Sequence, residues 1–168
     1  MDPTVHMLEH NVWFAEQLLR AAEHVGGEVL DRPIGLSVPG VDDEPTLRSQ
    51  LSRLVIQLEM WNSNFAGRTF DWPQQKASIA ELRARLAEAG DMFLESMRHI
   101  AREDRWDEIV ICPGDEPEND TYAGVAAHVV MYSAYRRILA TGALAAAGVT
   151  DLDEDPIRWV SARSPGDG

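Results

Sequence analysis

The chain has 168 residues, 45% of them hydrophobic, and carries a formal net charge of -13 with a single cysteine, Cys112. That length is ordinary for one domain and buries roughly two-thirds of the unfolded chain's surface without help from a disulfide or a metal. The charge works against phosphate backbones and anionic head groups, so neither nucleic acid nor a membrane is an expected partner, while a lone cysteine excludes an intrachain disulfide and suits a cytoplasmic location.

The chain opens Met1-Asp2-Pro3, without a basic segment running into an apolar one, so no signal peptide is expected. Asp2 as N-cap and Pro3 at the first position start a helix over about 2–25. Val5, Leu8, Val12, Ala15 and Leu19 form its apolar stripe, and Gly26-Gly27 end it. On this helix His6 and His10 stand four apart and share a face. The pair reads either as two imidazoles awaiting a third zinc ligand or as partly exposed side chains near a helix end. A loop with Pro33, Gly35, Pro39 and Gly40 follows.

A second helix is predicted from Asp43-Glu44-Pro45 to Gly67, with Leu47, Leu51, Leu54, Leu58, Trp61 and Phe65 alternating four and three apart. Leu54 and Trp61 are expected core residues. A third runs over about 78–103, opened by a capping box of Ser78 and Glu81 and buried along Ile79, Leu82, Leu86, Phe93, Met97 and Ile100. Gly90, inside it, marks a kink or a close contact. Residues 104–120 read as an acidic loop holding one short extended piece, Ile109-Val110-Ile111, without the regular spacing of a calcium loop. A fourth helix over about 121–147 is closed by Gly148, with Val125, His128, Tyr132, Tyr135 and Leu139 as its seam. A last turn starts at Asp155-Pro156 and reaches Trp159. Residues 1–162 make one domain and 163–168 a tail. There is no run of about 18 apolar residues, so no membrane-spanning helix is predicted. Four long helices with one apolar stripe each predict an all-α bundle.

Glycine-rich phosphate loops, G-x-S-x-G, H-E-x-x-H and C-x-x-C are all absent from the sequence. Polar residues at seam positions of the fourth helix remain. His128 reads as a core histidine with a satisfied hydrogen bond or, with Tyr132, Tyr135 and Arg136, as the lining of an internal cavity.

Several stretches carry a family resemblance. They are His10-Asn11-Val12-Trp13-Phe14-Ala15 with Leu18-Leu19, Leu51-Ser52-Arg53-Leu54 with Trp61, and Ala127-His128-Val129-Val130-Met131-Tyr132 with Tyr135-Arg136-Arg137-Ile138-Leu139. Leu144, Gly148, Asp151-Leu152-Asp153, Ile157 and Trp159 close the pattern. Taken together the chain resembles the DinB/YfiT-like superfamily over nearly its whole length. The resemblance implies an up-down-down-up four-helix bundle, often a homodimer. It also implies a divalent metal, commonly nickel or zinc, on three histidines, one from the second helix and two from the fourth. Relatives act as thiol-dependent transferases or isomerases using low-molecular-weight thiols of the mycothiol or bacillithiol type. At the three ligand positions this chain has Arg53, Tyr132 and Arg136, and at the usual carboxylate position Leu58, next to Glu59. Arginine has no lone pair for a metal, so the metal site is expected to be lost and no cofactor is predicted. The expected function is a DinB-like bundle that binds, if anything, a small molecule in its central cleft. The pocket candidates are Arg53, Trp61, His128, Tyr132, Tyr135 and Arg136. The two arginines either neutralise an anionic ligand or sit solvated at the rim with their stems packed inward. The alternative is a thiol-dependent S-transferase or isomerase with His128 and Tyr132 as base and acid, with a nickel or zinc ion held by other residues or with none.

Overall fold

A computed structural model describes residues 2–36, 42, 44–73, 76–113 and 118–163. Among these the chain order is α1 (Pro3–Ala22), α2 (Gly27–Leu30), α3 (Leu47–Phe65), α4 (Ile79–Arg102), β1 (Ile109–Cys112), β2 (Glu118–Thr121), α5 (Tyr122–Ala146) and α6 (Pro156–Arg163). The protein is mostly helical, as its periodicity predicts. The expected breakers Pro39 and Gly40, the middle of the acidic loop at 114–117 and the tail beyond 163 lie outside the described residues.

Local chemistry sets the helix starts. The Asp2 carboxylate accepts from the backbone N–H groups of Thr4 and Val5 at 2.8 and 3.1 Å. The Ser78 hydroxyl accepts from Glu81 N–H while the Glu81 carboxylate accepts from Ser78 N–H, the reciprocal box expected from sequence. The second long helix starts later than predicted. Thr46 caps it, in a box with Ser49. Glu44 stands at a φ of 47°, a left-handed conformation that cannot belong to the first turn. Gly67 and Gly148, at φ 65° and 93°, follow the ends of α3 and α5 in the conformation that glycine tolerates best.

One hydrophobic cluster joins α1, α3, α4 and α5. It contains the predicted stripes of α3 and α4, Leu54 and Trp61 among them, with Phe65 packed partly buried against it. The helices touch in pairs. α1 meets α4 through Glu9 and Arg98, Val12 and Gly90, and Glu16 and Arg83. α3 meets α4 through Glu59 and Arg85 and through Asn62 and the Ala89 carbonyl. α3 meets α5 through Gln57 and Ser133, Trp61 and His128, and Phe65 and Tyr122. Gly90 is explained by its neighbour: a Cβ there would lie 2.8 Å from Cγ1 of Val12, so it permits a close approach of α1 and α4.

Three expectations need correction. The all-α bundle carries one small sheet, because Ile109–Cys112, read as a lone extended piece, pairs antiparallel with Glu118–Thr121, Val110 opposite Asp120. Val110 turns inward while Ile109 and Ile111 face solvent, so a single buried β-branched residue anchors the ladder. Gly26-Gly27 do not simply open a loop, since Gly27 begins the single turn of α2. The seam of α5 holds at Val125 and Leu139 but not between them. Its buried residues are Val125, Ala126, Val129, Ser133, Arg136, Arg137, Leu139, Ala140 and Leu144, whereas His128 and Tyr132 stand at the surface. α5 is apolar nearly all round, and the aromatic side chains that marked its seam outweighed the small residues that face the core.

Candidate functional site

The i, i+4 spacing brings His128, Tyr132 and Arg136 into one column on α5. The His128 and Tyr132 rings stack with centroids 4.8 Å apart and planes 16° from parallel. The Arg136 guanidinium carbon lies 4.6 Å from the Tyr132 ring centre, a cation–π contact. Beside this column a cleft of about 210 Å³ opens against α3. Arg53, Ile56, Gln57 and Met60 of α3 line it, with Trp72 from the connection to α4 and the three α5 residues.

The back of the cleft is ionic. Arg136 is 1% exposed, and its Nη1 donates to Asp42 Oδ2 at 2.7 Å and to Gln50 Oε1 at 3.2 Å. Gln50 Nε2 donates to the same carboxylate oxygen at 3.2 Å. Burying one charge requires a partner in place, and Asp42, itself almost fully buried, supplies it. Arg136 therefore does not sit solvated at a rim. Arg53 does: its side chain is 46% exposed, and its Nη2 lies 3.7 Å from the other Asp42 oxygen, outside hydrogen-bond range. Nothing in the sequence around Asp42 points to this role, since the residue it neutralises is 94 positions away.

Of the other candidates, Trp61 is buried behind the cleft, meeting the His128 ring edge-on at 5.8 Å. Tyr135 does not line the cleft, and its hydroxyl is buried with no hydrogen-bond partner among the described residues. His128 lacks the satisfied burial of a core histidine. Partial desolvation holds its pKa below the usual imidazole value, with Arg136 adding to the effect and Asp120 opposing it, so its ring is neutral near pH 7.

A second polar chain crosses the core next to the first. Arg137 Nη1 donates to Asn11 Oδ1, Asn11 Nδ2 donates to Ser133 Oγ at 3.2 Å, and Ser133 meets the Gln57 amide of the cleft at 2.5 Å. The two arginines of α5 thus diverge, Arg136 toward Asp42 and Arg137 toward α1 and Glu154, 3.9 Å away.

Arg53, Tyr132 and Arg136 do not fit a metal. Two guanidinium groups offer no lone pair and repel a cation, and Arg136 is already committed to Asp42. Among the described residues no cluster of three or more histidine, cysteine, aspartate or glutamate side chains could hold an ion. His6 and His10 are instead packed against Trp159 of α6, at 4.8 and 5.3 Å between ring centres. Among the described residues no helix is long and apolar enough to cross a membrane. Compared with models of known protein families and with curated proteins, the chain matches no family model and no curated protein.

Proposed function

We propose that the chain is a DinB/YfiT-like four-helix bundle that has exchanged the family's metal site for an internal ion pair, and that its α3–α5 cleft binds a small organic molecule. The arrangement proposed is up-down-down-up. Its support is the order of contacts: residue numbers rise along α1 as they fall along α4, rise together along α3 and α4, and run oppositely along α3 and α5. The observation that carries the metal-free reading is the 2.7 Å pair of Arg136 with buried Asp42 at a former ligand position. Its test is equilibrium dialysis of the unmodified chain against nickel, followed by elemental analysis. Substoichiometric metal is expected. One tightly held nickel per chain that broadens the His128 and Tyr132 resonances sinks the reading. The variant R53H/Y132H/R136H gives the converse comparison and is expected to gain affinity for nickel wherever it folds.

One observation favours a second reading. A neutral His128 stacked on Tyr132 at the cleft is a serviceable general base, which a thiol-dependent transferase or isomerase without metal would need. Consumption of a low-molecular-weight thiol with an electrophilic acceptor, or its unconsumed but required presence for isomerisation of an added substrate, supports that enzyme where it disappears in His128→Gln; neither with the unmodified chain leaves the binding protein. A homodimer through the outer face of α5 belongs to the same proposal. That helix carries no charged residue except Arg136 and Arg137, both buried.

A further inference from the structure

We infer that the α3–α5 cleft takes a small monoanion with a flat apolar body, in chemical class an aromatic carboxylate, held by Arg53 and Gln57. The inference rests on the small-molecule reading of this cleft and specifies its ligand. Two guanidinium groups, Arg53 and Arg136, share the single carboxylate of Asp42. Among the described residues one positive charge is left over, in a chain whose net charge is -13. The surplus belongs to Arg53. Arg136 is hydrogen-bonded to Asp42 and Gln50, whereas among the described residues Arg53 makes only the longer 3.7 Å contact, and its half-exposed side chain lines the cleft. Asp120 acts on His128 from β2, outside the cleft lining.

A second feature points to the same ligand. Gln57 lines the cleft, is 7% exposed, and has one amide atom buried without a partner among the described residues. The neighbouring bonds say which atom that is. Arg137 donates to the Asn11 oxygen, so the Asn11 amide nitrogen donates to Ser133. The Ser133 hydrogen then needs an acceptor. Gln57 stands with Nε2 at 2.5 Å from the Ser133 hydroxyl and Oε1 without a partner among the described residues; 2.5 Å is short for N–H···O and at the lower edge for O–H···O, so the amide turned end for end gives the hydrogen its acceptor. The Gln57 oxygen is therefore that acceptor, and its NH₂ is the group left without a partner. A buried donor without an acceptor is costly, and beside an unmatched guanidinium it is best satisfied by an anion. Apolar lining from Ile56, Met60 and Trp72, and the aromatic column of His128 and Tyr132, favour a flat ring for the rest of the molecule. About 210 Å³ is less than a drug-sized ligand needs, which limits the body to about one ring.

The test compares benzoate with its neutral isostere benzamide on the full chain, by saturation-transfer NMR at constant ionic strength. Benzoate is expected to saturate, with benzamide at least about ten-fold weaker, as a charge-assisted contact requires. Arg53→Gln, at an exposed position, keeps the helical circular dichroism. It weakens benzoate by about ten-fold and leaves benzamide unchanged. Equal affinity for the two probes, or benzoate binding unaltered in Arg53→Gln, overturns the anion inference and leaves a small-molecule cleft. Binding of neither overturns both, and benzoate binding only after nickel is added overturns the metal-free reading and this inference with it.

Discussion

A fully buried arginine makes sense only with its counter-ion, and this gives Arg136 a sharp prediction. Arg136→Met takes the hydrogen-bonded counter-ion from the buried Asp42 carboxylate, leaving it the longer Arg53 contact, and should cost about 3 kcal/mol in urea unfolding. Asp42→Asn combined with Arg136→Met should cost clearly less than the two single changes added together, because no buried charge is left alone. Additive losses would mean that the pair is not coupled. His10 provides a second test at the same scale. Burial, chiefly, and then Arg137 hold its pKa below the ordinary 6.5, against the Glu154 backbone and Asp155, while His6 on the same helix adds to the lowering. Since the folded value is the lower one, the unfolded chain takes up more protons as pH falls. Stability is then complete above about pH 6.5 and declines below it, until the folded histidine also titrates. Thermal melts between about pH 7.5 and 5.5 should show that decline, shallower in His10→Gln but still present, because His128 is shifted the same way. An identical slope in the variant would remove His10 from the account. Asp42 itself was beyond reach of sequence reasoning. An aspartate in a loop is normally solvated, and only the fold brings Gln50, Arg53 and Arg136 to it.

At the scale of elements, what could be read from sequence depended on how unequal the faces of each helix are. α3 and α4 place leucines on one side and charges on the other, so their buried stripes follow from spacing alone. α5 has no such contrast. Its inner face mixes valine and leucine with alanine, serine and two arginines, while Met131 and Ile138 point outward. Spacing therefore gave its extent but not its rotation, and that rotation decides which candidates share a cleft. The hairpin was half legible for a similar reason: β1 is apolar, but its partner strand is Glu118-Asn119-Asp120-Thr121 and looks like a loop. The contact of α1 with α4 supplies the prediction at this scale. Alanine favours a helix interior by about 1 kcal/mol over glycine, yet a Cβ at position 90 would press on the stiff, β-branched Val12. Gly90→Ala should therefore destabilise the native chain by about 1 kcal/mol or more. In a Val12→Ala background, where the obstructing methyl is gone, the same change should stabilise by about 1 kcal/mol. Denaturation midpoints across the four proteins check it, and the same sign in both backgrounds would show that the approach is not tight.

For the whole molecule, a net charge of -13 means that two copies repel each other over most orientations. A surface without charge escapes that repulsion, and α5 presents one. Met131 is 72% and Ile138 63% exposed, and Ile138 shares a groove with Leu36, itself 57% exposed, and Gly142. The same residues on a second copy form a self-complementary partner, which a two-fold interface requires. The charge distribution also fixes the sign of the salt effect. Added salt screens the general repulsion while leaving apolar contact intact, so association should strengthen as ionic strength rises, opposite to an interface held by ion pairs. Light scattering over a concentration series should show a mass climbing from 18.7 kDa toward twice that value, at lower protein concentration in high salt. Replacing Met131 and Ile138 together by glutamate puts four like charges into the paired face and should return the chain to a monomer with its circular dichroism unchanged. Those positions lie outside the core, so a loss of helix in the double variant would point instead to an internal role for them. A mass fixed at 18.7 kDa across the series, at low and high salt alike, would rule out the dimer.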